Sequence, residues 1–128
     1  MKLRRDVRDW VIKAEEDFAV VQVLVRRRQA AVQNAVCFHA QQCAEKYLKA
    51  FLIGSRVAFP KTHDLLNLLE LARRCDHTIE LLRPYLEYLE PYAVNLRYPG
   101  ERATRAEARR SVRAITQVRE ALRRILSL

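Results

Sequence analysis

The sequence predicts an all-α fold, an up-and-down bundle of about five helices. Three observations carry that prediction. The 128 residues include only two glycines and four prolines, too few breakers for a many-stranded sheet. Apolar residues recur at steps of three and four through most of the chain, with no long alternation at period two. The two glycines, Gly54 and Gly100, fall between those periodic runs rather than inside them. A chain of this length is expected to form one domain, residues 1–128, with a core of its own.

The first periodic run covers 7–28. Val7, Val11, Ala14, Phe18, Val21 and Val25 make one stripe, with Trp10 at its edge. Asp6 is expected to start this helix, and the triple arginine at 26–28 suits its negative C-terminal end. The second run, 32–53, gathers Phe38, Gln41, Ala44, Leu48, Phe51 and Leu52 on one side, and Gly54 is placed to end it in a left-handed turn. After a loop from Gly54 to Lys61, Thr62 is expected to cap a third helix over 63–75, with His63 and Asp64 in its first turn. Residues 78–96 read as a fourth helix, restarted at Pro84 and bent at Pro91. The segment 97–103 is expected to be non-helical. Thr104 and Glu107 form a capping box for the last helix, whose stripe is Ala108, Ser111, Ile115, Val118, Leu122 and Ile125.

Charge is unevenly divided. The formal net charge is +9, and residues 97–128 carry nine arginines against three acids. Arginine forks suit two-point contacts with phosphate oxygens, so an anionic partner stands beside the alternative of a solvated, Arg-rich helix face. No apolar run approaches the length of a membrane span. The opening "MKLRRDVRDW" lacks the apolar centre of a signal peptide. A cytoplasmic protein without membrane attachment is expected. Cys37 and Cys43 lie about 9 Å apart along one helix at 1.5 Å per residue, beyond disulfide reach, and reduced, mostly buried thiols are expected for these and Cys75.

The residues that carry chemistry point to binding more than to catalysis. Two glycines cannot build a phosphate loop or a dinucleotide fingerprint. His39 and Cys43 supply at most two corners of a metal site, so no metal and no cofactor is expected. On a helical wheel His39, Gln42, Cys43, Lys46 and Lys49 form one continuous row opposite the apolar group of the second run. Such a row is either wet surface or a second packed face against a subunit or ligand.

Three stretches then resemble one family. "FHAQQCAEKYLKAFL" at 38–52, "PKTHDLLNLL" at 60–69 and "RYP" at 97–99 are similar in order and spacing to the HEPN domain. Trp10, Ala14 and Asp17 resemble its opening W-x3-A-x2-D pattern. The likeness spans nearly the whole chain. It implies a four- to five-helix bundle that self-associates as a dimer or dimer of dimers. It also implies a minimal nucleotidyltransferase partner in a toxin–antitoxin-like pair. Many members are metal-independent RNases with an Arg-x4–6-His motif. Arg97 stands in the place of that Arg, but no His follows it anywhere in the chain. Cleavage through a ribose 2′-OH needs a group that moves its proton, and Arg stays protonated. The resemblance therefore leaves a nucleotide-, RNA- or partner-binding module and a diverged RNase as competing expectations, with a plain structural scaffold as a third. Arg97, Tyr98, Arg102 and Arg105 are the candidate phosphate contacts. His39, Gln42, Lys46, Lys49 and His63 are the candidate interface or ligand face, and His39 or His63 is a candidate stand-in, from elsewhere in the fold, for the missing motif His.

Overall fold

Val7, Val11, Ala14, Phe18 and Val21 line the buried side of the first helix, α1 (Arg5–Leu24). In the computed structural model, residues 3–94 and 99–128 are described. α2 (Ala30–Gly54) follows, then α3 (Leu65–Arg73), α4 (Arg83–Leu89) and α5 (Arg105–Ile125). Two 3-10 turns, His77–Leu82 and Glu90–Ala93, flank α4. Among the described residues there is no strand, and the chain is an all-α bundle. No described helix is long and apolar enough to cross a membrane.

α2 is the axis of the bundle. It packs along both α1 and α5 and also touches α3 and α4. Val36, Cys37, Ala40, Gln41, Cys43, Ala44, Tyr47, Leu48, Ala50 and Leu52 are all completely buried, so the helix is enclosed on more than one face. The row of His39, Gln42, Cys43, Lys46 and Lys49 is therefore not a wet side opposite the core. Cys43 is sealed, and His39, Lys46 and Lys49 reach groups of α1, the Asp17 carboxylate and the Trp10 ring. A wheel drawn for one helix with one apolar stripe misplaces a helix that has neighbours on several sides.

Several boundaries differ from the sequence expectation, each for a local reason. α1 ends at Leu24, and the triple arginine forms the connector to α2 rather than a last helical turn. Asp6 is not the N-cap of α1; Arg4 is, and Asp6 sits in the first turn, where its carboxylate accepts from the Val7 N–H. Gly54 is the last residue of α2, and the left-handed position after it is Arg56, with φ of 60°. The Val57 N–H reaches Leu52 O at 2.9 Å and the Arg56 N–H reaches Ile53 O at 3.1 Å, the paired bonds of a Schellman ending.

α3 is capped by Asp64, not by Thr62. The Asp64 carboxylate accepts from the N–H groups of Leu66 and Asn67 at 3.0 and 3.1 Å. Thr62 Oγ1 accepts instead from the Asp64 N–H, orienting the cap from outside the helix, and His63 lies before the helix rather than in its first turn. The expected fourth helix is divided into a 3-10 turn, the short α4 and a second 3-10 turn. Pro84 and Pro91 each sit early in their pieces, where a missing N–H costs nothing. Its expected end at residue 96 lies outside the described residues. The capping box at Thr104 and Glu107 forms as expected, with both bonds at 3.0 Å. Cys37 and Cys43 are buried thiols, whereas Cys75 is exposed at the end of α3.

Candidate functional site

Two polar centres are built along α2, and a third region lies at its N-terminus. In the first, Asp17 of α1 projects into the seam and meets two groups of α2. Its carboxylate receives Lys46 Nζ at 2.5 Å and His39 Nδ1 at 2.7 Å. Glu15, two residues earlier, faces the other side of the same helix. It accepts Tyr47 Oη at 2.5 Å and a two-point fork from Arg119 of α5, both bonds at 2.7 Å. The Arg119 bonds hold the Glu15 carboxyl below its ordinary value, outweighing the opposing effect of partial burial. Arg123 donates to Tyr47 Oη at 3.1 Å. Burial, with the Glu15 bond second, pushes the Tyr47 phenol well above its ordinary range. Burial likewise raises the Cys43 thiol, so this cysteine is no nucleophile. One acidic turn of α1 thus ties three helices together.

The second centre tethers the loop after α2. Glu45 is almost wholly buried and receives Lys49 Nζ at 3.1 Å and His63 Nδ1 at 2.7 Å. Lys49 is 6% exposed, and its ammonium also lies 5.5 Å from the Trp10 ring and 5.7 Å from Phe59. A buried ammonium is tolerated when a carboxylate and aromatic faces replace its water. Gln41 donates to His63 O at 2.9 Å and accepts from Gln42 at 2.7 Å. The motif residues His39, Gln42, Lys46, Lys49 and His63 are therefore occupied within the chain. His39 and Lys46 still expose 30% and 24% of their side chains, and His63 exposes 69%.

The candidate phosphate contacts divide differently. Arg97 and Tyr98 lie outside the described residues. Arg102 is exposed and lines a hollow of about 320 Å³ with Ala30, Ala31, Asn34, Pro99, Gly100 and Glu101. The hollow sits where the 99–102 turn passes the start of α2. No side chain caps that helix start; the Val32 N–H meets the Gln29 carbonyl at 3.2 Å, and the exposed Ala30 and Ala31 precede it. Arg26, Arg27 and Arg28, all exposed, immediately precede it in the chain. The start of α5, by contrast, is already filled: its capping box spends Thr104 and Glu107 on each other, and the Ala103 N–H donates to Asn34 Oδ1 at 2.6 Å. The open helix terminus beside Arg102 is thus that of α2, not that of α5. Asn34 and the 26–28 arginines were not among the sequence candidates. The only hint of them was a helix start lacking Ser, Thr, Asp or Asn.

The family model for the HEPN domain matches residues 7–125. The chain belongs to the HEPN family. No curated protein and no solved structure gives a significant match to it. In this HEPN chain the two motif stretches of α2 and the α2–α3 loop serve the fold directly. The "QQCAEK" run supplies Gln41, Glu45 and Lys46, and the "THD" run supplies the His63 tether and the Asp64 cap.

Proposed function

We propose that this HEPN chain is a binding module that holds the phosphates of a nucleotide or RNA, as one half of a toxin–antitoxin-like pair with a minimal nucleotidyltransferase. The observation that carries the reading is the hollow beside Arg102 at the uncapped start of α2. A helix N-terminus offers N–H groups and partial positive charge to an anion, and Arg102 adds a fork over the same opening. Arg102 and Arg105 make no ion pair with any described carboxylate, so their charge is available. Arg97 and Tyr98 join this site on sequence grounds, through the family's place for the motif Arg. The protein is taken to work as a homodimer or dimer of dimers, with His39, Gln42 and Lys46 of α2 and the exposed His63 of the α2–α3 loop at or beside the subunit boundary, and Lys49 supporting them from behind.

One feature of the sequence supports binding over cleavage. The positions after Arg97 where the family's RNases carry His hold Arg102, Ala103 and Thr104. A titration of labelled nucleotide and short RNA against the parent, Arg97→Ala and Arg102→Ala tests the reading. Both variants are expected to bind more weakly while keeping their helical circular dichroism, and the parent is expected to leave the RNA intact. Equal affinity in all three proteins contradicts the site, and cleavage by the parent that Arg97→Ala abolishes contradicts the non-catalytic reading.

A further inference from the structure

A groove of about 620 Å³ lies between α4 and α5, away from the α2 hollow. Pro84 and Tyr85 line one side, and Arg110, Val112, Arg113 and Gln117 of α5 line the other. The α4 side is apolar and open to solvent. Pro84 is exposed, Tyr85 is 36% exposed, and Leu81, in the turn leading into α4, is 77% exposed. Exposed apolar residues gathered at a concavity with a polar rim mark an interaction surface. Tyr88 lies deeper and is already covered: its hydroxyl donates to Glu107 O at 3.0 Å, its ring meets Tyr92 at 5.9 Å between centres, and the Arg110 guanidinium lies 4.3 Å from its ring centre. The α5 rim is basic. Arg110 and Arg113 are exposed and form no ion pair with a described carboxylate. Glu107, one turn before Arg110, is committed elsewhere, to the Thr104 cap and the Tyr92 hydroxyl. Stacking engages the Arg110 guanidinium by its face, which leaves its N–H edge for an acceptor.

The geometry points to this groove as the docking site for a short acidic amphipathic helix of a partner protein. Apolar side chains of that helix seat between Tyr85 and Val112, and its carboxylates meet Arg110 and Arg113. The inference goes beyond the phosphate reading and does not need it, because the groove shares no residue with the α2 hollow. The α5 side runs from Arg110 to Gln117, about 10 Å at 1.5 Å per residue, which matches two turns of a helix. A helix laid in a groove anchors through residues at i, i+3 and i+4 and keeps its other side for charge. Charge complementarity selects the acid: two guanidinium groups without a carboxylate flank an apolar wall, and a carboxylate fits each fork in two-point contact. A nucleic-acid backbone has no use for Pro84, Tyr85 and Val112, and the Tyr88 ring has no free face for a base. A second copy of the chain fits poorly, because symmetric packing sets Arg110 and Arg113 against their own like charges.

Three labelled peptides of about 14 residues, roughly four helical turns, test the assignment by fluorescence anisotropy. The first carries leucines at i, i+3, i+4 and i+7 with glutamates on its other side. The second has lysines for the glutamates, and the third has serines for the leucines. The glutamate–leucine peptide is expected to bind the parent, and the other two to bind at least about tenfold more weakly. Tyr85→Ala and Arg113→Glu are each expected to weaken the first peptide about tenfold with helical circular dichroism intact, and Arg102→Ala to leave it unchanged. If the parent does not bind the first peptide, or binds the serine peptide equally well, the groove is not a site for an amphipathic helix. If Arg102→Ala weakens the peptide as much as Arg113→Glu does, the peptide sits at the α2 hollow and the assignment falls. If Arg113→Glu loses a short RNA and keeps the peptide, the groove serves nucleic acid instead. A smaller assembly for Tyr85→Ala or Arg113→Glu than for the parent in sedimentation would mean that the groove joins copies of this chain, which also overturns the proposal. The nucleotide affinity of Arg102→Ala tests the phosphate site separately from all of these.

Discussion

Glu15 shows how one carboxylate sets a pH limit on this fold. Its ordinary value is 4.5, and the Arg119 fork lowers it in the folded chain. The unfolded chain therefore takes up the proton first as pH falls. The stability from Glu15 is present above about pH 4.5 and is lost as pH drops through the lower folded value. Urea midpoints measured from about pH 7 to pH 3 are expected to fall steeply for the parent below that value. For Glu15→Gln they are expected to start lower and fall less; parallel curves would show that the acid sensitivity has another source. Ser111 makes the opposite case. Its hydroxyl is fully buried with no hydrogen-bond partner among the described residues. An unmet buried hydroxyl carries a desolvation cost that a methyl does not, so Ser111→Ala is expected to raise stability by about 1 kcal/mol. A loss in the same denaturation assay would mean that the hydroxyl is satisfied in solution.

At the scale of elements, caps decide more than stripes. Asp64→Ala is expected to cost about 1 kcal/mol, the usual size for losing an N-cap, and Thr62→Ala clearly less, because Thr62 only orients the cap. Equal losses in thermal melts would return the cap to Thr62. Arg56→Gly is expected to gain about 1 kcal/mol, since a left-handed position strains a residue with a Cβ. The long helices were legible from sequence because α1 and α5 each carry one apolar stripe at three-four spacing and α5 has a matching Thr-x-x-Glu box. The division of the fourth helix was not, because its apolar spacing runs through Pro84 and Pro91 while the backbone resets at each. The polar row of α2 was found but misplaced. Its lysines and histidine look like surface until Asp17 and Glu45, remote in the chain or on the next turn, supply their partners. Arg102 was legible as a cation, whereas the opening it guards is formed by the start of α2, some seventy residues away. No local pattern reports that.

For the molecule as a whole, charge and fold answer different questions. The bundle is held by α2 and the ion pairs of Asp17 and Glu45, and Arg102, Arg105, Arg109 and Arg113 take no part in those pairs. This separation is why substitutions at these arginines are expected to change binding and spare the fold. The central claim is that Arg102, Arg105 and the open start of α2 hold phosphates. The most direct test is the slope of log affinity for single-stranded RNA against log salt concentration. Each phosphate contact contributes about −0.7 to that slope, because binding releases condensed counterions. The parent is expected to show a slope of roughly −2 or steeper, and Arg102→Ala a slope shallower by about 0.7 with an unchanged melting temperature. A flat slope in the parent, or the same slope in both proteins, would contradict the account.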